Sequence, residues 1–369
     1  MNVSHIRQNT VTGECVLFAP GRAARPHSVP PRPSFSPETS ATAEAPRRRC
    51  PFCPGAEERD LEVVCWPASA SDAWRVRIVR NRFPALTPNE QVTSQEDNNK
   101  DETTRTTYGA HDVVVPTPVH STALALLGTD ELAAVLRVAA ERCEALAEER
   151  VPEDGRARHA FVTLFENHGA RAGASLAHPH MQILAPTRGT PAPRLARWWA
   201  HTARTPGPCA MCAALAAELA VDPSAGSRVV LASPHFVALV PRAAATPYGL
   251  WIVPRAHAPA FWPALANDPA VTADLAAVWR TVLRALRRLH GDPDYNCAFV
   301  AAPLAPPDGA EDAEDVRARM HWYMLFDVRV NQPAGFELVT GLPINPVLPE
   351  HAAQALRDTI SVLKSEGEL

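Results

Sequence analysis

The chain has 369 residues, of which 46% are hydrophobic and 21% are charged, and its formal net charge is −4. This balance supports two or three globular domains or one large duplicated one, and it offers no basic surface for nucleic acid or an anionic membrane. The sequence predicts neither a membrane span nor a signal peptide, so we expect a cytoplasmic protein without membrane or nucleic-acid partners. Its eight cysteines should then be reduced, which makes closely spaced pairs candidate metal ligands.

The first half of the sequence predicts strands on either side of one long helix. Residues 25–49 are rich in Pro and Ser and residues 93–107 are polar, so both are predicted to be mobile loops. An amphipathic helix is predicted from Thr129, with that threonine as its N-cap. Apolar runs that predict strands occupy 74–86, 111–120, 159–169 and 175–184.

The second half repeats this order of parts. Residues 185–208 are predicted to connect the halves with a short helix around two tryptophans, and a second long helix is predicted from Thr272, again with the threonine as its N-cap. We interpret the repeat as a tandem duplication, with an N-terminal domain (1–190) and a C-terminal domain (191–369). Short connections predict an α+β fold of mainly antiparallel sheets with packed helices. The second set of predicted strands lies within 228–242, 249–257, 295–303 and 320–326.

Each half contains a Cys-x-x-Cys pair, then a histidine after a strand and a histidine in a later strand. Two thiolates at this spacing can bind one ion, and two imidazoles complete the tetrahedral site that Zn²⁺ prefers. Four protein ligands close the coordination sphere, so we expect two structural zinc ions per chain. The alternative is that these are ordinary buried cysteines and core histidines. The predicted ligands are Cys50, Cys53, His120 and His178 in the first half and Cys209, Cys212, His257 and His321 in the second.

The motif HPHMQIL (178–184) contains a second histidine beyond the one assigned to metal. If this segment is a strand, then His178, His180 and Gln182 face the same way, and polar side chains buried there need partners. In the second half, Tyr323 stands where the second histidine would be. We therefore expect one chemically active half and one inactive half.

His180 has the chemistry of a nucleophile towards phosphorus. A neutral imidazole can attack phosphorus when an acceptor holds its far nitrogen. Gln182 can donate a hydrogen bond to a phosphoryl oxygen whose charge grows in the transition state. The small residues Gly169, Gly173 and Ser175 would let backbone N–H groups approach phosphate oxygens. Taken alone, His180 could also be a core histidine or a group supporting the metal site.

These motifs resemble those of the galactose-1-phosphate uridylyltransferase family in the histidine-triad superfamily. The resemblance implies two histidine-triad-like domains and a ping-pong reaction, in which His180 attacks the α-phosphorus of a nucleoside diphosphate sugar. A sugar 1-phosphate leaves, and a second phosphate acceptor takes the nucleotidyl group from the histidine. The likeness extends over most of the chain and rests on NTVTGECVLFAPGRAARP (9–26), CPFCPG (50–55), VRNRFPAL (79–86), PVHS (118–121), FENHGARAGAS (165–175) and HPHMQ (178–182).

The same resemblance assigns roles to individual residues. It makes His180 and Gln182 catalytic, and it implies a homodimer whose C-terminal segment reaches the neighbouring site. It places nucleotide and phosphate contacts on Arg22, Arg25, Asn81, Phe83, Asn167, Gly173 and Ser175, and sugar contacts on Gly335, Phe336 and Glu337.

Three positions depart from the uridylyltransferase pattern. Asn331 and Pro343 stand where that family has a lysine and a glutamine on the hexose phosphate, and Arg82 stands where an acidic residue follows the asparagine. The C-terminal segment resembles that of ADP-glucose phosphorylases more closely. These departures weaken the case for galactose 1-phosphate and for uracil, but they leave the chemistry of His180 intact.

Three classes of function remain open on the sequence. In a nucleotidyltransferase, the donor could be a nucleoside diphosphate sugar or a nucleoside triphosphate, and the base could be uracil or adenine. Its acceptor could be a sugar 1-phosphate, phosphate (a phosphorylase) or pyrophosphate. In a hydrolase, water would attack the intermediate. A non-catalytic, zinc-stabilised nucleotide-binding protein is the third reading, and the presence of both His180 and Gln182 counts against it.

Overall fold

The computed structural model describes residues 4–20, 22, 50–67, 74–88, 107–151, 155–222, 226–307 and 313–369. The predicted loop over 25–49 lies outside the described residues, as does the loop over 93–107 except for its last residue. The described strands are β1 (His5–Gln8), β2 (Cys15–Phe18), β3 (Glu62–Trp66), β4 (Val76–Arg80), β5 (Gly109–Val115), β6 (Thr163–His168), β7 (Met181–Pro186), β8 (Val229–Ala232), β9 (Phe236–Leu239), β10 (Leu250–Pro254), β11 (Tyr295–Val300), β12 (Tyr323–Val328) and β13 (Ile344–Asn345). The described α-helices are α1 (Thr129–Glu148), α2 (Pro193–Arg204), α3 (Ala210–Leu219), α4 (Trp262–Asn267), α5 (Pro269–His290), α6 (Ala313–Ala318), α7 (Gly335–Thr340) and α8 (Pro349–Ser365).

Ten of these strands form one continuous sheet in the order β3-β4-β5-β7-β6-β11-β12-β10-β9-β8. Every neighbouring pair is antiparallel, which confirms the predicted α+β fold. The two halves of the sheet have the same internal strand order, and they join edge to edge where β6 pairs with β11. The halves therefore share one sheet, while the domain boundary at residue 190 stays a prediction. The remaining strands form a small sheet in which β13 runs parallel to β2 and β1 runs antiparallel to it.

The two long helices, α1 and α5, cover one face of the ten-stranded sheet. Strand residues such as Ile183 and Met324 are fully buried in the same core as Leu136 of α1 and Trp279 of α5. Successive residues of a strand point to opposite faces. Gln182 therefore points away from the helices and lines a cavity on the other face of the sheet.

Both long helices begin near their predicted positions, but with different caps. Helix α1 begins at Thr129 and is capped by Gly128, whose N–H donates to the Glu131 carboxylate at 2.8 Å. Helix α5 begins three residues before Thr272, because Asp268 accepts the first free N–H groups of the helix. Thr272 was thus wrongly predicted as a cap; its hydroxyl donates to the carbonyl of Leu265 inside the fold.

The segment between the halves carries helix α2, which confirms the short helix predicted from its tryptophans. Trp198 and Trp199 are buried, and the Trp198 ring meets the Tyr323 ring with 5.7 Å between centroids. Helix α2 therefore packs beside the place in the second half that corresponds to His180 in the first. No helix in the described part of the chain is long and apolar enough to cross a membrane.

Candidate active site and metal centres

His178 and His180 lie immediately before strand β7 and not within it, since β7 begins at Met181. The prediction of a strand over 175–184 was therefore wrong at residues 175–180, which include both histidines. Continuing the β5–β7 register would place Pro179 opposite Pro116, and neither proline has an N–H to donate to the ladder. The chain leaves the sheet here, and the two histidines reach different groups: His178 joins a set of candidate metal ligands and His180 lines the cavity.

The His180 ring is held with one nitrogen protonated and the other unprotonated. Its Nδ1 lies 2.9 Å from the backbone carbonyl oxygen of His178. A carbonyl oxygen only accepts, so Nδ1 carries the proton and Nε2 keeps its lone pair. Burial lowers the pKa of His180, which keeps the imidazole neutral at neutral pH. A neutral imidazole with this orientation is a competent nucleophile.

The cavity beside His180 has a volume of about 220 Å³. It brings together His180, Gln182 and Ser175 with the predicted nucleoside-binding residues Asn81 and Phe83. Phe83 is 84% exposed, and the Arg82 guanidinium carbon lies over its ring, 5.9 Å from the centroid. The described residues that line the cavity are Pro51, Phe52, Glu58, Leu61, Arg77, Val79, Arg80, Asn81, Arg82, Phe83, Val113, Ser175, Leu176, His180 and Gln182.

Residues 169–173, here called the glycine loop, form a tight turn after strand β6. Gly169 has a φ of 82° and Gly173 a φ of 93°, a region that residues with a Cβ rarely adopt. A Cβ on Gly169 would also lie only 2.3 Å from Oδ1 of Asp294. The Asp294 carboxylate accepts the backbone N–H of Arg171 at 2.6 Å. The loop therefore requires glycine on steric grounds, and it is held from the second half of the chain.

Asn296 of strand β11 supports the same loop. Its side-chain amide nitrogen donates to Oδ1 of Asn167 and to the carbonyl of Ala172, each at 2.8 Å. Its own amide oxygen accepts from Nε of Arg329 at 2.6 Å. Sequence reasoning missed Asp294 and Asn296, because only the pairing of β6 with β11 brings them to the loop.

The predicted ligands of the first half converge on one point. Sγ of Cys53 lies 3.3 Å from Nδ1 of His120, and both Cys50 and Cys53 place Sγ 3.7 Å from Nδ1 of His178. A sulfur and a nitrogen bound to one tetrahedral zinc, at about 2.3 and 2.0 Å from it, lie about 3.5 Å apart. Nε2 of His178 donates to the carbonyl of Thr117 at 2.8 Å, which points the Nδ1 lone pair at the thiols.

The second half repeats this arrangement. Sγ of Cys212 lies 3.6 Å from Nδ1 of His257 and 3.4 Å from Nδ1 of His321, and Sγ of Cys209 lies 3.7 Å from Nδ1 of His321. In each half, the four ligand atoms lie within 4.8 Å of one another. Burial lowers the pKa of His178 and of His321 to about 4, so both imidazoles are neutral, as ligation requires. Each group could hold one metal ion.

Some predicted site residues are not at the cavity. Arg25 lies outside the described residues, and Arg22 is exposed. Gly335, Phe336 and Glu337 form the start of α7, and neither they nor the predicted phosphate contacts Asn167 and Gly173 are among the described residues that line the cavity beside His180. The Glu337 carboxylate caps its own helix by accepting the N–H of Ala334 at 3.0 Å.

Comparison with known proteins gives the chain its relatives. The family described as galactose-1-phosphate uridyl transferase, N-terminal domain, matches residues 1–188. ADP-glucose phosphorylase from Arabidopsis thaliana is 27% identical over 96% of this chain and 92% of that protein. Galactose-1-phosphate uridylyltransferase from Thermotoga maritima is 26% identical over 96% of this chain and 98% of that protein.

The solved structures agree with the sequence comparison. The crystal structure of an ADP-glucose phosphorylase from Arabidopsis thaliana with bound ADP-glucose superposes with a TM-score of 0.76 at 27% identity, covering 96% of this chain and 99% of that one. The family match spans more than half of the chain and includes the motif with His180 and the first group of candidate metal ligands. The chain therefore belongs to the galactose-1-phosphate uridyl transferase family, and its relatives include enzymes that transfer nucleotidyl groups.

Proposed function

We propose that the chain transfers a nucleoside monophosphate between sugar phosphates through a covalent bond from phosphorus to Nε2 of His180. The observation that carries this proposal is the hydrogen bond from Nδ1 of His180 to the carbonyl of His178, which leaves Nε2 as the nucleophile beside an open cavity. In the first step, the Nε2 lone pair attacks the α-phosphorus of a nucleoside diphosphate sugar. The bond from that phosphorus to the bridging oxygen breaks, and a sugar 1-phosphate leaves with the electron pair.

The second step reverses the first with a new acceptor. A phosphate oxygen of the acceptor attacks the phosphorus, and the bond to Nε2 breaks. While the phosphorus is attached, the imidazole carries positive charge, and the His178 carbonyl stabilises it by accepting from Nδ1. Gln182 donates to a phosphoryl oxygen, and Asn167, Gly173 and Ser175 provide the phosphate contacts.

Asn81 and Phe83 are the proposed contacts to the nucleoside, with Arg22 and Arg25 on the phosphate side. Arg82 pairs with Glu58 at 2.7 Å at the wall of the cavity. An acidic residue at position 82 would be repelled by that carboxylate, so the change from the uridylyltransferase pattern alters the surroundings of the base. The similarity to a protein solved with bound ADP-glucose supports adenine over uracil.

A second candidate activity is phosphorolysis of a nucleoside diphosphate sugar, in which inorganic phosphate is the acceptor. The observation that favours it is the likeness to ADP-glucose phosphorylase over 96% of this chain. Asn331 and Pro343 support it as well, because Asn331 lacks the positive charge of the lysine, and Pro343 lacks the amide of the glutamine, that contact the hexose phosphate in the uridylyltransferases. A hydrolase, with water as the acceptor, is a third outcome of the same chemistry.

The two groups of cysteine and histidine ligands are proposed to hold one Zn²⁺ each. The four donors of each group close a tetrahedral sphere, and a closed sphere with no open position suits a structural ion. Each ion would tie the start of its half of the chain to the strands that follow the long helix.

We also propose a cytoplasmic homodimer in which α7 reaches the partner's cavity. Phe336, Leu338 and Val339 of α7 are 45%, 77% and 87% exposed, a cluster of apolar side chains that a partner would cover. Gly335, Phe336 and Glu337 would then contact the sugar in the neighbouring site.

The test is to mix the protein with ADP-glucose, UDP-glucose or UDP-galactose and to measure its intact mass. An acid-labile increase equal to one nucleoside monophosphate is expected, and it should be absent in His180→Ala. His235→Ala, a half-buried histidine of the second half, is the matched control and should still form the adduct. No adduct with any nucleotide sugar, or an adduct that persists in His180→Ala, contradicts the proposal.

The acceptor is identified by adding it to the isolated adduct. Inorganic phosphate should release a nucleoside diphosphate if the chain is a phosphorylase. A sugar 1-phosphate should yield a new nucleoside diphosphate sugar if it is a transferase between sugars. Rapid release of the nucleoside monophosphate in buffer alone would instead indicate a hydrolase.

A further inference from the structure

We infer that His111 is a positioning residue that fixes the orientation of the Gln182 amide and links it to the segment proposed to bind the nucleoside. This inference rests on the proposed function. His111 lies in β5 and is the diagonal neighbour of Gln182 in the sheet, because the register pairs Val113 with Gln182. It is not among the described residues that line the cavity, so it would act through Gln182.

The contacts of the His111 ring define which nitrogen carries the proton. The backbone N–H of Ala85 donates to Nδ1 of His111 at 3.0 Å. Because that N–H can only donate, Nδ1 holds the lone pair and the proton of the neutral ring lies on Nε2. Nε2 lies 2.8 Å from Oε1 of Gln182, so the ring donates to the amide oxygen. Nδ2 of Asn81 lies 3.0 Å from the same Nε2; in this tautomer both atoms carry hydrogens, so the contact between them is not a hydrogen bond.

This hydrogen bond decides which end of the Gln182 amide faces the substrate. The oxygen and nitrogen of an amide are nearly equal in size, so packing alone does not distinguish the two orientations. An amide oxygen facing a phosphoryl oxygen would be repelled, whereas an amide N–H would stabilise its growing charge. With the oxygen bound to His111, Gln182 presents its nitrogen to the cavity that contains His180.

His111 is also anchored to residues 81–86, the segment proposed to bind the nucleoside. The backbone N–H of Ala85 donates to its ring, and the backbone N–H of Asn81 donates to its backbone carbonyl at 2.8 Å. The His111 side chain therefore contacts both Gln182 and the segment proposed to bind the nucleoside. His111 was not among the site residues predicted from the sequence.

The test is a double-mutant cycle on the rate of nucleotidyl-His180 formation at saturating ADP-glucose. His111→Phe keeps a flat ring and removes both nitrogens, and it should slow the step by on the order of a hundredfold, the lower end of the cost of losing one oriented donor to an oxyanion. In a Gln182→Ala background the same substitution should change the rate by less than about twofold, because two residues that act as one unit are not additive. His235→Phe is the matched control. Additive losses, or an unchanged rate in His111→Phe, overturn the inference.

A second measurement does not depend on turnover. Long-range ¹H–¹⁵N spectra of the full-length protein with ¹⁵N-labelled histidine report the tautomer of each ring, and the His111 signals are assigned by their loss in His111→Phe. A proton on Nε2 of His111 is expected, and a proton on Nδ1 overturns the inference. If wild-type protein forms no adduct, the proposed function fails while this spectrum still tests His111. If the adduct forms but the cycle is additive, only the positioning role fails.

Discussion

Asn296→Ala is expected to slow formation of the nucleotidyl-His180 adduct, although Asn296 belongs to the second half of the chain. The substitution removes the hydrogen bond accepted from Arg329 and, more important here, the two donated to Oδ1 of Asn167 and to the carbonyl of Ala172, which hold the glycine loop and the side chain next to it. A hydrogen bond of this kind contributes about 0.5–1.5 kcal/mol, so the loss is about 1–3 kcal/mol. If the loop must be ordered to receive the phosphate, that loss corresponds to a rate lower by roughly 5- to 150-fold.

The assay is rapid quenching of the reaction with ADP-glucose, combined with hydrogen exchange of the loop amides. The loop amides should exchange faster in Asn296→Ala, while the core strands keep their protection. Asn345→Ala is a matched control, because it also removes a side-chain amide that donates to a backbone carbonyl. The Asn345 amide lies in the small sheet and donates to the carbonyl of Ala244 at 2.9 Å. It should lower the free energy of unfolding without slowing the adduct. An Asn296→Ala protein that forms the adduct at the wild-type rate would refute the reasoning.

Three further outcomes follow from the site and the metal centres. Elemental analysis of the purified protein should find close to two zinc ions per chain. Cys50→Ser should lose one of them and unfold at a lower temperature, because metal binding is coupled to folding. Wild-type protein that contains no zinc and is as stable as the zinc-bound protein would contradict the assignment. Gly169→Ala should cost more than about 1–3 kcal/mol of stability, because it adds a clash with Asp294 to the strain of a positive φ. Gly189→Ala has the same strain (φ 83°) but open space around it, so it should cost less. Equal losses of stability in thermal unfolding would show that the clash is absent. The rate of adduct formation should stay constant from neutral pH down to the usual histidine pKa of 6.5 and fall only in more acid solution. The reason is that burial lowers the pKa of His180 and that protonation removes the attacking lone pair. A rate that already falls above pH 6.5 would contradict this prediction.

The sequence predicted those parts of the site that are local or repeated. A Cys-x-x-Cys pair and a histidine in each of two later segments predicted two groups of candidate metal ligands, because the repeat provided two copies of one spacing, and the structure brings the members of each group together. Tyr323, which stands where the first half has a second histidine, then separated His180 from the candidate ligands. Both inferences depend on the order of residues and need no knowledge of distances.

Other parts depended on pairings between distant segments. The strand predicted across His178 and His180 does not reach them, because continuing the register would oppose Pro179 to Pro116. These two prolines are far apart in the sequence. His111 looks like one residue of an apolar strand until β5 and β7 are aligned and Gln182 becomes its neighbour. Strand alternation could have placed His111 on the face of Val113, but it could not have supplied Ala85 as the partner of its other nitrogen.

The pairing of β6 with β11 gives the second half a structural role towards the first. Tyr323 packs against the rings of Trp198 and Trp251, with 5.7 and 4.4 Å between centroids, so the position that corresponds to His180 is part of an aromatic cluster in the second half. The second group of candidate metal ligands lies in that half, and strand β11, at the edge of its strands, continues the sheet of the first half. Asp294, immediately before β11, and Asn296, within it, hold the glycine loop that follows β6. The second group is thus linked to the half that contains His180 through a single sheet, and a substitution of one of its proposed ligands, such as Cys209→Ser, should weaken the loop as well as the local fold.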